Sequence, residues 1–225
     1  MNVFAFFNWL AKDLFYRCVR HIARLLVVCL CEFRAVGRPF LEEHEGAMLL
    51  STHQSMLDPV LVGICFNGRL NYVARKTLFR NSLFAFLILA LDSIEIDRER
   101  GGLAGLREML KRLQNNKKVL LFPEGTRSEN GEIGELKMGF IPIARRSEVP
   151  IIPIAIVGAN RILPRGRIIP QRQPLAVVIG KPILTSEILS LTDEQLRLRL
   201  AADLAACKAQ GEQLLGTIRP NVVQY

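Results

Sequence analysis

The fold can be read from one stretch of the chain, Met48-Leu49-Leu50-Ser51-Thr52-His53-Gln54-Ser55-Met56-Leu57-Asp58-Pro59. Met48 to Thr52 is mainly apolar and predicts a short buried strand. Pro59 biases Asp58 away from helical angles and suits the first position of a helix, so a helix is predicted over Pro59 to Phe66 with Asp58 as its N-cap. His53 then lies at the carboxyl end of a buried strand, where open α/β sheets bind their ligands.

Strand and helix patterns alternate along the rest of the chain. Five further segments have strand composition: Asn71 to Ala74, Ser93 to Ile96, Val119 to Phe122, Ile151 to Val157 and Leu175 to Ile179. Helical periodicity is found at Leu103 to Leu113, Leu136 to Arg146 and Thr192 to Leu214, where Thr192 and Gln195 have capping-box spacing. The alternation predicts an α/β fold with a mixed, largely parallel sheet flanked by helices. The apolar run from Ser82 to Leu91 is too short to cross a bilayer and predicts a buried helix or the lip of an acyl groove.

Composition narrows the functional class. The chain has 225 residues, half of them hydrophobic, with a net charge of +9 and a mean hydropathy of +0.22. A basic and apolar protein is expected to meet an anionic membrane surface or an anionic substrate. The sequence lacks zinc-finger spacing, an RNP-like strand and a long basic block, so no nucleic-acid partner is expected. Its cysteines form no CxxC pair, which predicts reduced thiols in a cytoplasmic setting and no metal site.

Residues 1–34 predict an amphipathic helix that associates with a membrane. Asp13, Arg17, Arg20 and Arg24 form one polar stripe at steps of four, three and four, and the opposite face is apolar. Aromatic anchors precede the stripe at Phe4, Phe6, Phe7 and Trp9. Five basic residues against two acidic ones between Met1 and Arg34 suit a helix in the plane of the lipid headgroups at the cytoplasmic face. The alternative is that the apolar face packs on the protein's own core. Residues 35–225 are predicted to form the catalytic domain.

His53 and Asp58 are the candidate catalytic pair. A continuous helix would set residues five apart about 140° from each other, but the turn before Pro59 lets His53 fold back toward the carboxylate. A carboxylate that accepts the Nδ1 hydrogen leaves Nε2 free to take a proton from an alcohol. The simpler alternative is that Asp58 only caps its helix and that His53 is an ordinary histidine at a strand end.

A second motif, Phe122-Pro123-Glu124-Gly125-Thr126-Arg127-Ser128, also follows an apolar strand. Gly125 allows main-chain amides to approach a ligand closely. Glu124 offers an acceptor for hydroxyl groups, and Arg127 offers a fork for phosphate. The simpler interpretation is a polar turn with an internal ion pair between Glu124 and Arg127.

Together, His53 to Asp58 and Phe122 to Ser128 resemble the two leading signatures of the glycerolipid acyltransferases, especially the 1-acylglycerol-3-phosphate acyltransferases. Ile96-Asp97-Arg98 and Val149 to Pro153 resemble two weaker blocks of that family in the same order. The resemblance covers about Arg38 to Pro182. The second block of the family usually opens with Gly, where this chain has Asp92, and Glu95 replaces a residue that is commonly apolar. These two differences bear on the identity of the acceptor and not on the type of reaction.

The resemblance implies transfer of a fatty acyl group from acyl-CoA or an acyl carrier protein thioester to a lysophospholipid hydroxyl, giving phosphatidate without a cofactor or a metal. His53 would be the base and Asp58 its partner. The acceptor would be bound by Arg98, Glu124, Gly125, Thr126, Arg127 and Lys137. Glycerol 3-phosphate or a lyso-aminolipid remain alternative acceptors, and a basic peripheral membrane module remains the non-enzymatic alternative.

Overall fold

A computed structural model describes residues 3–75, 93–96, 103–164, 166–167 and 169–216 of the chain. The strands are β1 (Phe33–Val36), β2 (Ala47–Ser51), β3 (Leu70–Arg75), β4 (Ile94–Ile96), β5 (Lys118–Leu121), β6 (Ile151–Val157) and β7 (Leu175–Ile179). The α-helices are α1 (Val3–Leu30), α2 (Asp58–Cys65), α3 (Leu103–Gln114), α4 (Ile141–Ser147), α5 (Ala159–Ile162), α6 (Thr185–Ser190) and α7 (Asp193–Gly216). Short 3₁₀ turns cover Arg38–Leu41 and Met138–Phe140.

The described strands form one sheet in the order β1-β7-β6-β2-β5-β3-β4. All neighbours are parallel except β6 and β7, which are antiparallel. β2 lies between β5 and β6, so the carboxyl ends of these three strands meet at one edge of the sheet. The predicted α/β class with a mixed, largely parallel sheet is therefore confirmed.

Helices cover both faces of the sheet, which explains why its central strands are apolar on both sides. In β2, Leu49 belongs to the core cluster that contains α2, whereas Met48 and Leu50 belong to the cluster that contains α3, α4 and α7. Every residue of β2, β6 and β7 is buried. The sheet therefore provides a rigid support for the loops at its carboxyl edge.

Several local predictions are confirmed and others need correction. The capping box exists, since the Thr192 amide donates to Gln195 Oε1 at 2.8 Å and the Gln195 amide donates to Thr192 Oγ1 at 3.2 Å. The helix predicted from Leu136 instead begins with a 3₁₀ turn, and α4 starts at Ile141 with a proline in its first turn. β1, α5 and α6 were not predicted. β1 also crosses the predicted boundary between residues 34 and 35, because Phe33 pairs with Leu175 of β7.

α1 packs on the domain through Tyr16 and through Arg20 and Arg24 of its polar stripe, whereas Arg17 of that stripe is exposed and pairs with Asp13. Tyr16 is buried, and its hydroxyl accepts a hydrogen bond from the Leu70 amide at 3.1 Å. Arg24 donates to the Ile64 carbonyl at the end of α2, and Arg20 donates to the Gly68 carbonyl at 2.9 Å. The opposite face is exposed and apolar, with large exposed residues at Leu10, Leu14, Ile22, Leu25, Leu26, Val28 and Leu30. The alternative that the apolar face packs on the core is therefore wrong for these positions.

No helix in the described ranges is both long enough and apolar enough to cross a membrane. Of the predicted aromatic anchors, only the helical backbone is described. The run from Ser82 to Leu91 lies outside the described residues.

Candidate active site

The loop that carries His53 is fixed to the sheet immediately beyond β2. The Thr52 amide donates to the Ile154 carbonyl at 3.0 Å, and Thr52 Oγ1 accepts the Ile156 amide at 2.9 Å. These bonds continue the pairing of β2 with β6 by one residue. His53 therefore leaves the sheet directly after a residue that β6 holds by both its amide and its side chain.

The Asp58 carboxylate organises the turn after His53. Asp58 is fully buried, and its Oδ2 atom accepts hydrogen bonds from the amides of Gln54 at 2.5 Å and Ser55 at 2.8 Å. The same oxygen lies 2.8 Å from His53 Nδ1. One buried oxygen thus gathers three N–H groups, two from the backbone and one from the imidazole.

The predicted pairing of His53 with Asp58 is present, but the predicted N-cap is wrong. α2 already includes Asp58, its N-cap is Leu57, and no side chain caps it. The carboxylate faces backward because the amides of Gln54 and Ser55 need an acceptor inside the turn. Since Nδ1 faces a carboxylate acceptor, it carries the hydrogen, and Nε2 keeps a free lone pair.

Glu124 joins the second motif to His53. Its Oε1 atom accepts the His53 amide at 2.9 Å, and its Oε2 atom accepts the Gly134 amide at 2.8 Å. Burial raises the pKa of Glu124 above its usual range, although both amide hydrogen bonds and His53 act in the opposite direction. Glu124 therefore holds two loops together, a role that the sequence did not reveal. Its predicted contact with acceptor hydroxyls would use the remaining lone pairs and stays a prediction.

Further contacts from the same motif fix His53. The Ser128 amide donates to the His53 carbonyl at 2.7 Å, and the Phe122 ring stacks on the imidazole with centroids 4.0 Å apart. Together with Glu124, these contacts bind the residue at its amide, its carbonyl and one face of its ring. Neither contact was predicted, although Phe122 and Ser128 begin and end the motif that the sequence singled out.

Gly125 and the side chain of Lys137 lie next to each other in the loop that follows β5. Gly125 has φ +71, and a Cβ atom placed on it would lie 3.3 Å from Lys137 Nζ. The Gly125 amide donates to the Phe122 carbonyl at 3.1 Å and closes the turn. Only glycine combines this left-handed conformation with so close an approach by a lysine.

The structure describes only some of the residues that were predicted to bind the acceptor. Arg127 is half-buried, and Thr126 is exposed. Within the part of the chain that the structure describes, no ion pair or hydrogen bond engages the Arg127 guanidinium, so the suggested pair with Glu124 is wrong. Asp97 and Arg98 lie outside the described residues, whereas Ile96 of the same block ends β4. The same ranges contain no cluster of His, Cys, Asp or Glu that fits a metal ion.

The arrangement suits general base catalysis on an alcohol. An imidazole is oriented by a buried carboxylate, is stacked on an aromatic ring and is exposed by about a fifth of its side chain, 19%. Two cationic side chains, Arg127 and Lys137, belong to the neighbouring loop and can attract an anionic group. Such a site can deprotonate a hydroxyl on a substrate that is held by its phosphate.

Comparison with known proteins identifies a family for this chain and several related enzymes. Residues 32–157 match the protein family described as Acyltransferase, and this range contains both motifs. The chain is 26% identical over 175 residues to the 1-acyl-sn-glycerol-3-phosphate acyltransferase of Bacillus subtilis, covering 77% of this chain and 83% of that protein. It is 28% identical over 148 residues to the chloroplastic 1-acyl-sn-glycerol-3-phosphate acyltransferase BAT2 of Brassica napus, covering 64% of this chain but only 43% of the relative.

The fold is shared with a solved structure. The crystal structure of the 1-acyl-sn-glycerophosphate acyltransferase PlsC from Thermotoga maritima superposes with a TM-score of 0.77. The match covers 95% of this chain and 84% of that chain at 21% identity. At this level of identity, the likeness concerns the architecture of the sheet and its helices.

Proposed function

This chain belongs to the acyltransferase family, and we propose that it transfers a fatty acyl group from a thioester to the free hydroxyl of 1-acylglycerol 3-phosphate, forming phosphatidate. The chain is therefore an enzyme, and the alternative of a basic module that only coats membranes is excluded. The observation that carries the proposal is the bond of 2.8 Å between His53 and the buried Asp58, beside a loop that bears Arg127. The named relatives support lysophosphatidate as the acceptor.

In the proposed reaction, His53 Nε2 removes the proton from the acceptor hydroxyl while the alcohol oxygen bonds to the thioester carbonyl carbon. Asp58 stabilises the imidazolium that forms. The tetrahedral intermediate then collapses, the carbon–sulfur bond breaks, and the leaving thiolate takes the proton from the imidazolium. No other proton donor is needed, because the proton lost by the alcohol is gained by the thiol.

The oxyanion needs donors near the base. The Gly125 amide is already used in the turn with Phe122, so we assign this role to the amides of Thr126 and Arg127 in the same loop. We assign the acceptor phosphate to the Arg127 side chain, with Lys137 beside Gly125 and with Arg98 by family resemblance. A planar guanidinium binds a phosphate through two parallel hydrogen bonds, which fixes the position of the hydroxyl.

The proposal is tested with purified full-length protein in mixed micelles. Labelled acyl-CoA and acyl carrier protein thioesters are offered with lysophosphatidate, glycerol 3-phosphate and a phosphate-free lysolipid, and products are identified by mass. We expect phosphatidate from lysophosphatidate and little turnover of the phosphate-free acceptor. We expect His53→Ala to abolish turnover, with a circular dichroism spectrum like that of the wild type. Transfer to the phosphate-free acceptor at an equal kcat/KM would contradict the acceptor assignment.

We also propose that the exposed face of α1 holds the enzyme on the cytoplasmic surface of an anionic membrane. Leu14, Ile22 and Leu25 are more than half exposed, at 62%, 60% and 64%, and lie along one side of the helix. They lie opposite Arg24, which binds the end of α2, and Arg20, which binds the turn after it, so the apolar stripe faces outward. Such a stripe gains free energy when it enters the headgroup region.

Deleting α1 would be a poor test, because the deletion removes the buried Tyr16. Replacing Leu14, Ile22 and Leu25 by Gln removes the apolar stripe and leaves the contacts with α2 in place. We expect this triple variant to lose flotation with phosphatidylglycerol vesicles while keeping its melting temperature. The matched control replaces Leu189 and Leu198 by Gln, which are 57% and 53% exposed on other helices. Equal loss of flotation in the control would show that the α1 face has no special role.

A further inference from the structure

A polar cavity opens beside the end of β6, and part of the loop after β5 forms one of its walls. It has a volume of about 380 Å³ and lies at the carboxyl end of β6. Its walls come from the turn after β6, the chain that follows Ser128 and the last turns of α7. The residues that define its chemistry are Gln54, Gly131, Asn160, Arg161, Lys208 and Gly216.

One wall of the cavity is formed by Gln54, the residue that follows the proposed base in the chain. Gln54 follows His53 in the chain and is 6% exposed. Its Nε2 atom donates to the Gly131 carbonyl at 3.1 Å, whereas its Oε1 atom is buried without a hydrogen-bond partner among the described residues. β2 is flanked by β5, whose loop carries Arg127, and by β6, whose end forms this cavity. His53 therefore lies at a strand end between the part of the β5 loop that carries Arg127 and this cavity, whose wall includes residues 130–132 of the same loop.

Charge and size indicate the kind of ligand that fits the cavity. Lys208 is paired with Glu132 at 3.1 Å and with Glu212 at 2.8 Å. With Arg161, the two carboxylates and two cations of the wall balance. Side-chain amides from Asn130 and Asn160 provide the remaining polar groups. A neutral wall of donors and acceptors suits an uncharged ligand rich in amide groups, whereas a wall built for phosphate would carry excess positive charge.

We infer that this cavity binds the pantetheine stem of the thioester donor, with the stem's amides facing Asn160 and Gln54 and the sulfur directed toward His53. The pantetheine stem is uncharged, contains amide groups and is shared by coenzyme A and acyl carrier protein. The acceptor then approaches His53 from the β5 side and the donor from the β6 side. This assignment rests on the thioester chemistry of the proposed function.

Asn160→Leu tests the stem contact, because leucine has a similar size and cannot form hydrogen bonds. We expect the KM for acyl-CoA to rise about tenfold, as the loss of one to two hydrogen bonds predicts. We expect no change with the acyl N-acetylcysteamine thioester, which lacks most of the stem, and no change in acceptor KM. The matched control is Gln213→Leu, an exposed position on α7 outside the cavity. An equal rise of KM for long and short donors would overturn the inference.

A second variant fills the cavity from a different element. A Cβ atom on Gly216 meets no atom within 4 Å, so Gly216→Trp introduces a large side chain at the cavity without a backbone clash. We expect it to raise the KM for acyl-CoA and for acyl carrier protein by the same factor. An effect on one donor alone would show that the cavity recognises the nucleotide or the carrier protein, and the assignment to the stem would be wrong.

Binding measurements separate this inference from the proposed function. If the wild-type protein transfers no acyl group from any thioester, the proposed function fails. The cavity is then judged by saturation-transfer NMR of free pantetheine with the full chain. A signal that Asn160→Leu and Gly216→Trp abolish and Gln213→Leu preserves supports the stem site. Absence of a signal with wild-type protein overturns it.

Discussion

The substitution Asp58→Asn removes the negative charge of the carboxylate but keeps the shape of the side chain. In the structure, Asp58 Oδ2 accepts three N–H groups, from the amides of Gln54 and Ser55 and from His53 Nδ1. The single oxygen of asparagine must take this position, because an NH₂ group there would face three donors. His53 should therefore keep its tautomer and orientation, while the negative charge beside it disappears.

The expected effect on turnover follows from the geometry. With 2.8 Å between His53 Nδ1 and Asp58 Oδ2, the centres of charge of the imidazolium and the carboxylate lie roughly 4 Å apart. At an effective dielectric constant of about 20, their attraction is about 4 kcal/mol. If this attraction is lost only when His53 is protonated in the transition state, kcat falls by about 10³-fold.

The substitution also lowers stability. The new NH₂ group occupies the site of Oδ1, which is buried and has no partner among the described residues. Two buried donors without acceptors cost about 1–3 kcal/mol. For a domain of this size, each kcal/mol lowers Tm by about 2–4 °C. The variant should therefore remain folded at 25 °C, and its loss of activity should reflect chemistry.

The assay compares wild type, Asp58→Asn, His53→Ala and Asp193→Asn by mass-resolved product formation, each after a melting curve. Asp193 serves as the control because its carboxylate is 59% exposed and pairs with Arg145 away from the site. We expect little change in the control, a loss of about three decades in Asp58→Asn and complete loss in His53→Ala. A folded Asp58→Asn protein with kcat within threefold of wild type would refute the proposed role of the charge.

Three further substitutions test the loop that follows β5. Arg127→Lys keeps the charge but loses the planar fork, so acceptor KM should rise about ten- to hundredfold while donor KM stays constant; equal effects on both substrates would place Arg127 outside the acceptor site. Glu124→Gln removes a buried acid whose pKa is raised mainly by burial. The Tm of the wild type minus the Tm of the variant should therefore be largest below about pH 4 and should decrease as pH rises through the raised pKa of Glu124. A Tm difference that increases with pH would contradict this prediction. Gly125→Ala meets a left-handed φ of +71 and the Lys137 side chain, so it should lower Tm and raise acceptor KM, whereas Gly139→Ala, with no atom within 4 Å of its Cβ, should do neither.

The sequence predicts the central strands well because burial on both sides leaves a strong signal. The bounds predicted for Ile151 to Val157 and Leu175 to Ile179 agree with the structure. β1 escaped prediction because it is a four-residue edge strand that contains Arg34 and follows directly on the apolar pattern of α1. It forms only by pairing with β7, whose residues follow their β1 partners by 142 positions, as in Phe33 and Leu175, and no local sequence pattern indicates this pairing.

For the site, the sequence identifies the residues better than it identifies their contacts. His53 and Asp58 were paired correctly, because the turn before Pro59 limits where the carboxylate can lie. Asp58 was expected to cap α2. A carboxylate can accept hydrogen bonds from amides that precede it or follow it in the chain, and the sequence does not show which of these amides it binds. Glu124 was interpreted as a ligand for hydroxyl groups because the amides that it accepts lie in another loop, at His53, and ten residues further along its own loop, at Gly134. Contacts of this kind depend on tertiary distances.

α2 connects the proposed membrane surface to the proposed base, His53, through eight residues. At its first residue, Asp58 binds His53. At its other end, the carbonyls of Ile64 and Cys65 accept hydrogen bonds from Arg24 of α1 and from Arg38.

These cations stabilise the negative end of the α2 dipole, and burial together with the neighbouring Arg38 and Arg20 lowers the pKa of Arg24. Because the buried carbonyls need these donors, α1 cannot rotate its apolar stripe inward without leaving acceptors unpaired. The outward direction of the stripe and the position of His53 are thus fixed by the same short helix. It follows that the distance between the exposed face of α1 and His53 is set by the fold of the protein.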